Sequence, residues 1–168
     1  MKFTALSAIA FSLALTGISG TTLAQNRTEP AGKLFFEGDI VRHRVDGQAG
    51  PFCVLQNLFR RGESIAWRVR VLQPDGCVAD DTVLKSVVVE LGSGETVALD
   101  YGPHGDTPTD YFWANSWHIP ASYPTGTLGH KVMATMEDDS VVTWEPLTRP
   151  TSQLAVIEGE PEMAAATQ

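Results

Sequence analysis

The chain reads as an all-β protein, an antiparallel β-sandwich of seven to eight strands, and three observations predict it. Period-two alternation of apolar and polar residues dominates the sequence beyond its first segment. No long helical stripe interrupts that alternation. Gly, Pro and Asp recur between the alternating runs at the short spacing that separates strands in sandwiches.

The elements follow in order. Asp39 to Val45 supplies the first strand. In the next, Ile65, Trp67, Val69 and Val71 alternate with Ala66, Arg68, Arg70 and Leu72, giving one buried and one basic face. Lys85 to Leu91 is apolar and β-branched, and Gly92-Ser93-Gly94 turns it into Thr96 to Tyr101 as a hairpin. Tyr111 to Ile119 is aromatic-rich and stops at Pro120. Leu128 to Met136 follows, and Glu137-Asp138-Asp139-Ser140 turns it into Val141 to Glu145. Gln153 to Ile157 closes the set. Asp46 to Gly62 and Gly102 to Asp110 read as loops, the second because Pro103, Gly105 and Pro108 disfavour regular structure.

Ahead of the strands, Lys2 precedes an apolar run from Ala5 to Leu15, and Thr22-Leu23-Ala24 offers small residues before Gln25. This is the layout of a signal peptide over 1–24, and the run is too short to span a bilayer. The expected product is periplasmic or secreted. It carries a single domain over 34–157 and a disordered, acidic then Ala-rich tail over 158–168.

Charge is uneven. Residues 26–70 hold eight Lys or Arg against five Asp or Glu, and residues 71–168 hold three against fifteen. So acidic a chain does not suit nucleic acid, whose phosphates it would repel. Cys53 and Cys77 are an even pair in an oxidising compartment, so a disulfide between them is expected. The chain-entropy estimate for such a loop is about 3 kcal/mol.

Trp117-His118-Ile119-Pro120, Tyr123-Pro124-Thr125-Gly126 and the run His130 to Thr135 together resemble the last third of bacterial immunoglobulin-like and fibronectin type III-like domains. The resemblance implies an Ig-like sandwich and no chemistry. It places His130 where those domains usually carry a corner Tyr.

Candidate chemistry is sparse. His43, His104, His118 and His130 lack the spacings that put two metal ligands on one element. His104 and His118 remain weak metal candidates, and His130, which shares a face with Val132 and Ala134, reads as a core or corner residue. Tyr111, Trp113 and Trp117 share a strand face, which suits either core packing or a sugar platform. No nucleophile motif occurs, so no enzyme is expected, and no cofactor. The arginines Arg68 and Arg70, with Arg60 and Arg61 and the nearby Arg42 and Arg44, form the best candidate docking surface for an acidic partner. Pairing with the protein's own carboxylates is the competing role. The expected function is a non-catalytic exported module that docks another extracytoplasmic protein. A periplasmic copper carrier and a carbohydrate-binding module are the alternatives.

Overall fold

The computed structural model describes residues 33–107, 109–147, 154–159 and 163. The expected leader and its cleavage site lie outside these residues, as does most of the 158–168 tail. Ten strands follow in chain order: β1 (Phe35–His43), β2 (Leu58–Arg60), β3 (Ser64–Leu72), β4 (Leu84–Leu91), β5 (Thr96–His104), β6 (Asp110–His118), β7 (Gly126–Thr127), β8 (His130–Met136), β9 (Val141–Trp144) and β10 (Ala155–Ile157). Among the described residues no helix is long and apolar enough to cross a membrane.

Seven strands form one antiparallel sheet in the order β1-β3-β6-β5-β4-β8-β9, and three form a smaller sheet, β2-β10-β7. The fold is all-β and sandwich-like. Its core follows from the alternation: Ile65, Trp67, Val69 and Val71 of β3 are all buried, as are Val87, Val89 and Leu91 of β4 and Val132 and Ala134 of β8. Burying each such side chain stabilises the fold by roughly 1.5–3 kcal/mol. The small sheet adds Phe59 and Val156 to the same core cluster.

The large sheet curls. Its end strands, β1 and β9, share no ladder, yet Phe36 of β1 stacks on Trp144 of β9 with ring centroids 6.3 Å apart. The result is a seam where the sheet nearly closes on itself. Part of the open edge of β1 is covered by the segment before β2, whose Cys53 and Gln56 N–H groups donate to the carbonyls of Arg42 and Ile40.

Two expectations are corrected. First, Cys53 and Cys77 are free and exposed rather than bridged. Cys53 is tied to Arg42, which pairs with Ile65, whereas the Cys77 carbonyl accepts from Gln73, just beyond the Leu72–Phe35 pair. The two thiols therefore sit toward opposite ends of the β1–β3 pair, about 23 Å apart along the strands at about 3.3 Å per residue. A disulfide needs Cα atoms within about 7 Å.

Second, the Gly102–Asp110 segment is not a loop throughout. Gly102, Pro103 and His104 extend β5 and pair with Phe112, Tyr111 and Asp110. Pro is tolerated there because β4 pairs with β5 only up to Leu99, leaving one side of β5 without a ladder. The short β2 and β7 come in addition to the strands that alternation marks in the sequence.

Candidate functional site

A cleft of about 400 Å³ opens at the seam between the two sheet edges. Trp67 and Val69 of β3, with His130 and Val132 of β8, line it from the sheet interior. Gly38, Asp39 and Ile40 of β1 and Trp144 of β9 form its sides, and Leu55 to Asn57, Pro146 and Leu154 complete it. The volume falls within the range of small-molecule sites, and the walls are mainly apolar.

Gly38 holds the space open. It pairs with Val69, so a side chain at position 38 would share the inner face with Val69. A Cβ there would lie 3.6 Å from the Val69 Cγ2 and 3.3 Å from the Arg68 carbonyl oxygen. The flanking inner positions of β1 carry Phe36 and Ile40, so this one position is a gap in an otherwise bulky row.

Besides Asp39, Gln56 and Asn57, two further polar groups line this mainly apolar cleft. Trp67 is 1% exposed, and among the described residues its Nε1–H has no acceptor. A buried donor left unpaired costs about 1–3 kcal/mol. The His130 ring lies 6.0 Å from the Trp67 ring, centroid to centroid. Burial pushes the His130 pKa below its usual value, opposed by a hydrogen bond to the Leu128 backbone. The neutral ring has one N–H, which that bond to the carbonyl uses, and one lone-pair nitrogen left as an acceptor. His130, Pro146 and Leu154 also line a second cavity of about 350 Å³, alongside the Lys131–Glu90 ion pair.

The residues singled out from sequence are placed as follows. Arg68 makes a bidentate pair with Asp39, its Nε donating at 2.6 Å and its Nη2 to the other carboxylate oxygen. Arg70 lies near Glu37 at 3.4 Å and Asp110 at 3.7 Å. Three carboxylates thus surround two guanidiniums, and the face is not a positive patch. Arg60 and Arg61 belong to a different region: Arg60 donates to the Glu158 carbonyl, and Arg61 to the Tyr123 carbonyl and the Glu158 carboxylate. Arg42 is buried beside Glu63 at 3.4 Å, and it and Arg44 both approach the Phe52 ring. The structure does not bring these arginines into one surface.

His104 stacks on Phe112 with centroids 4.1 Å apart. It pairs with Asp110 at one end of β6, while His118 ends that strand, about 26 Å away at about 3.3 Å per residue. The two do not converge on a shared site. His118 Nδ1 lies 3.2 Å from the Ser64 Oγ. Ser64 is buried, while His118 lies exposed at the end of its strand.

Of the aromatic row, Trp113 and Trp117 are buried and hydrogen-bonded, Trp113 to the Ala79 carbonyl and Trp117 to the Glu95 carboxylate. Tyr111 is half exposed, and Asn115 between them is exposed and bonded to the Ala98 carbonyl. No continuous aromatic platform results. The signal for the actual cleft was present as Trp67 and Gly38, but only the curl of the sheet brings them to β8 and β9.

Neither a family model, a curated protein nor a solved structure matches this chain. The chemistry of the cleft therefore carries the functional argument.

Proposed function

We propose that this protein is a non-catalytic, exported binding module whose site is the seam cleft, and that it takes a small apolar molecule there. The observation that carries this reading is the cleft itself: about 400 Å³ of mainly apolar space at the seam, with Gly38 presenting no side chain on its inner wall. An apolar ligand would bury its surface on Val69, Val132 and Trp144, at about 25 cal/mol per Å² removed from water. The leader read over 1–24 supports the extracytoplasmic address.

Docking of an acidic protein on the arginines is less well supported, because Arg68 and Arg70 already face Glu37, Asp39 and Asp110. The test is a titration of the protein with N-phenyl-naphthylamine, followed by the methyl resonances of its valines and leucines. Saturable shifts at Val69, Val132, Leu55 and Leu154 are expected. Shifts confined to methyls away from the cleft, or none at saturating probe, would refute the reading.

A further inference from the structure

We propose that the open edge of β9 takes an extended segment of another protein, flanked by lysine or arginine, as an added antiparallel strand. This rests on the sheet edge and is independent of what the seam cleft holds.

β9 ends the large sheet, and among the described residues no strand pairs with its far side. The Met136 N–H donates to the Ser140 carbonyl at the β8–β9 turn. Bonded and non-bonded pairs alternate along an antiparallel ladder from there. Ala134–Val142 and Val132–Trp144 are therefore bonded pairs, while Val141 and Thr143 turn their N–H and C=O groups away from β8. Both residues are exposed. Sheet edges are ordinarily blunted by Pro, Lys, a bulge or a covering segment. The segment before β2 covers β1 in this way at Ile40 and Arg42. β9 is short, at four residues, but all four are strand formers and none is Pro or Lys.

Charge selects the occupant. On the outer face, Lys131 of β8 pairs with Glu90 of β4 at 2.9 Å. One position beyond the Val132–Trp144 pair, Glu145 falls beside Lys131 and is exposed. Lys131 is engaged by Glu90, and among the described residues Glu145 makes no ion pair. The row runs negative, positive, negative from β4 across β8 to the end of β9, and a cation on the next strand continues it. At the other end of β9, Glu137, Asp138 and Asp139 are exposed, and Lys85 pairs with Asp139. A second copy of this chain fits poorly. Pairing Val141 with Thr143 of the copy sets Glu145 opposite Asp139 of the copy at both ends, like charge against like. A strand with a cation opposite Glu145, another at the acidic turn and β-branched residues between them suits both backbone and charge.

The test uses three blocked peptides on the intact protein: Lys-Val-Thr-Ile-Val-Thr-Lys, the same core flanked by Glu, and the Lys-flanked peptide N-methylated at the two residues facing Thr143 and Val141. Affinity is read by calorimetry. Strand addition is read by hydrogen exchange at the Val141 and Thr143 amides, with Val142 and Trp144 as the internal standard. The Lys-flanked peptide should protect Val141 and Thr143 and bind about tenfold more tightly than the Glu-flanked one, a difference that narrows in high salt. The N-methylated peptide should protect neither amide. In Glu145→Lys, a change at an exposed side chain, the Lys-flanked peptide should lose most of its advantage.

Equal affinity for the Lys- and Glu-flanked peptides, with both amides protected, would overturn the choice of a cationic partner and leave the edge as the site. No protection by any peptide, or undiminished binding of the N-methylated one, would overturn strand addition. Protection of Val141 and Thr143 without peptide would also overturn it, with sedimentation separating a dimer from an edge covered by the chain itself.

Discussion

The arginines show how a single residue's role depends on what stands opposite it. Alternation correctly places Arg68 and Arg70 on the outer face of β3, but the register of β1 sets Asp39 against Arg68 and Glu37 against Arg70. Sequence gives no pairing register between distant strands, so their carboxylate partners were not legible. A double-mutant cycle between Arg68→Ser and Asp39→Asn should return a coupling of about 0.5–1 kcal/mol, the size of a good but partly exposed pair. Zero coupling in denaturant melts would deny the pair any structural role. Trp117, by contrast, was readable as core from its place beside Ile119 and Pro120, and it is buried. Trp117→Ala should lower stability by roughly 3–5 kcal/mol. A mutant melting like the wild type would contradict that placement. His130 supplies a pH prediction. Its folded pKa lies below the usual 6.5 through burial, so the unfolded chain takes up the proton first. Stability contributed by the neutral ring is complete above about pH 6.5 and falls as the pH drops below it. Melting at pH 7.5 and 5.5 should show a loss in the wild type that is reduced in His130→Gln.

At the scale of elements, legibility follows length and alternation. β3, β4 and β8 each carry an alternating buried row and β6 buries Trp113 and Trp117, and each lies close to its expected bounds. β2 and β7 span three and two residues, too short to show any period. The extension of β5 through Gly102 and Pro103 was hidden because those residue types signal turns, whereas a strand with one free side accommodates them. The disulfide failed for a related reason. Parity and compartment argue for a bond, but neither reports distance, and the β1–β3 pairing holds the two cysteines apart. Thiol titration of native, exported protein should find two reactive groups per chain, and a reducing agent should leave the melting temperature unchanged. A blocked pair, with melting lowered by reductant, would contradict the strand register that separates them.

For the whole molecule, the cleft is a product of curvature. It exists because seven strands twist far enough to bring Phe36 against Trp144 while β1 and β9 stay unpaired, and because Gly38 leaves the interior unfilled beside Val69. Local patterns in the sequence mark Trp67 as inward-facing, yet they cannot say that β3 and β8 converge on one side of it. The most direct measurement is therefore to fill the gap. Gly38→Leu would project its side chain from the inner face of β1 into the cleft, with a small adjustment at the Arg68 carbonyl. Replacing Gly within a strand also removes an entropic cost, so the fold should be kept. Titration of N-phenyl-naphthylamine into both proteins should give saturable binding to the wild type and at least a tenfold loss in Gly38→Leu, at equal or higher melting temperature. Equal binding by a folded Gly38→Leu would contradict the account.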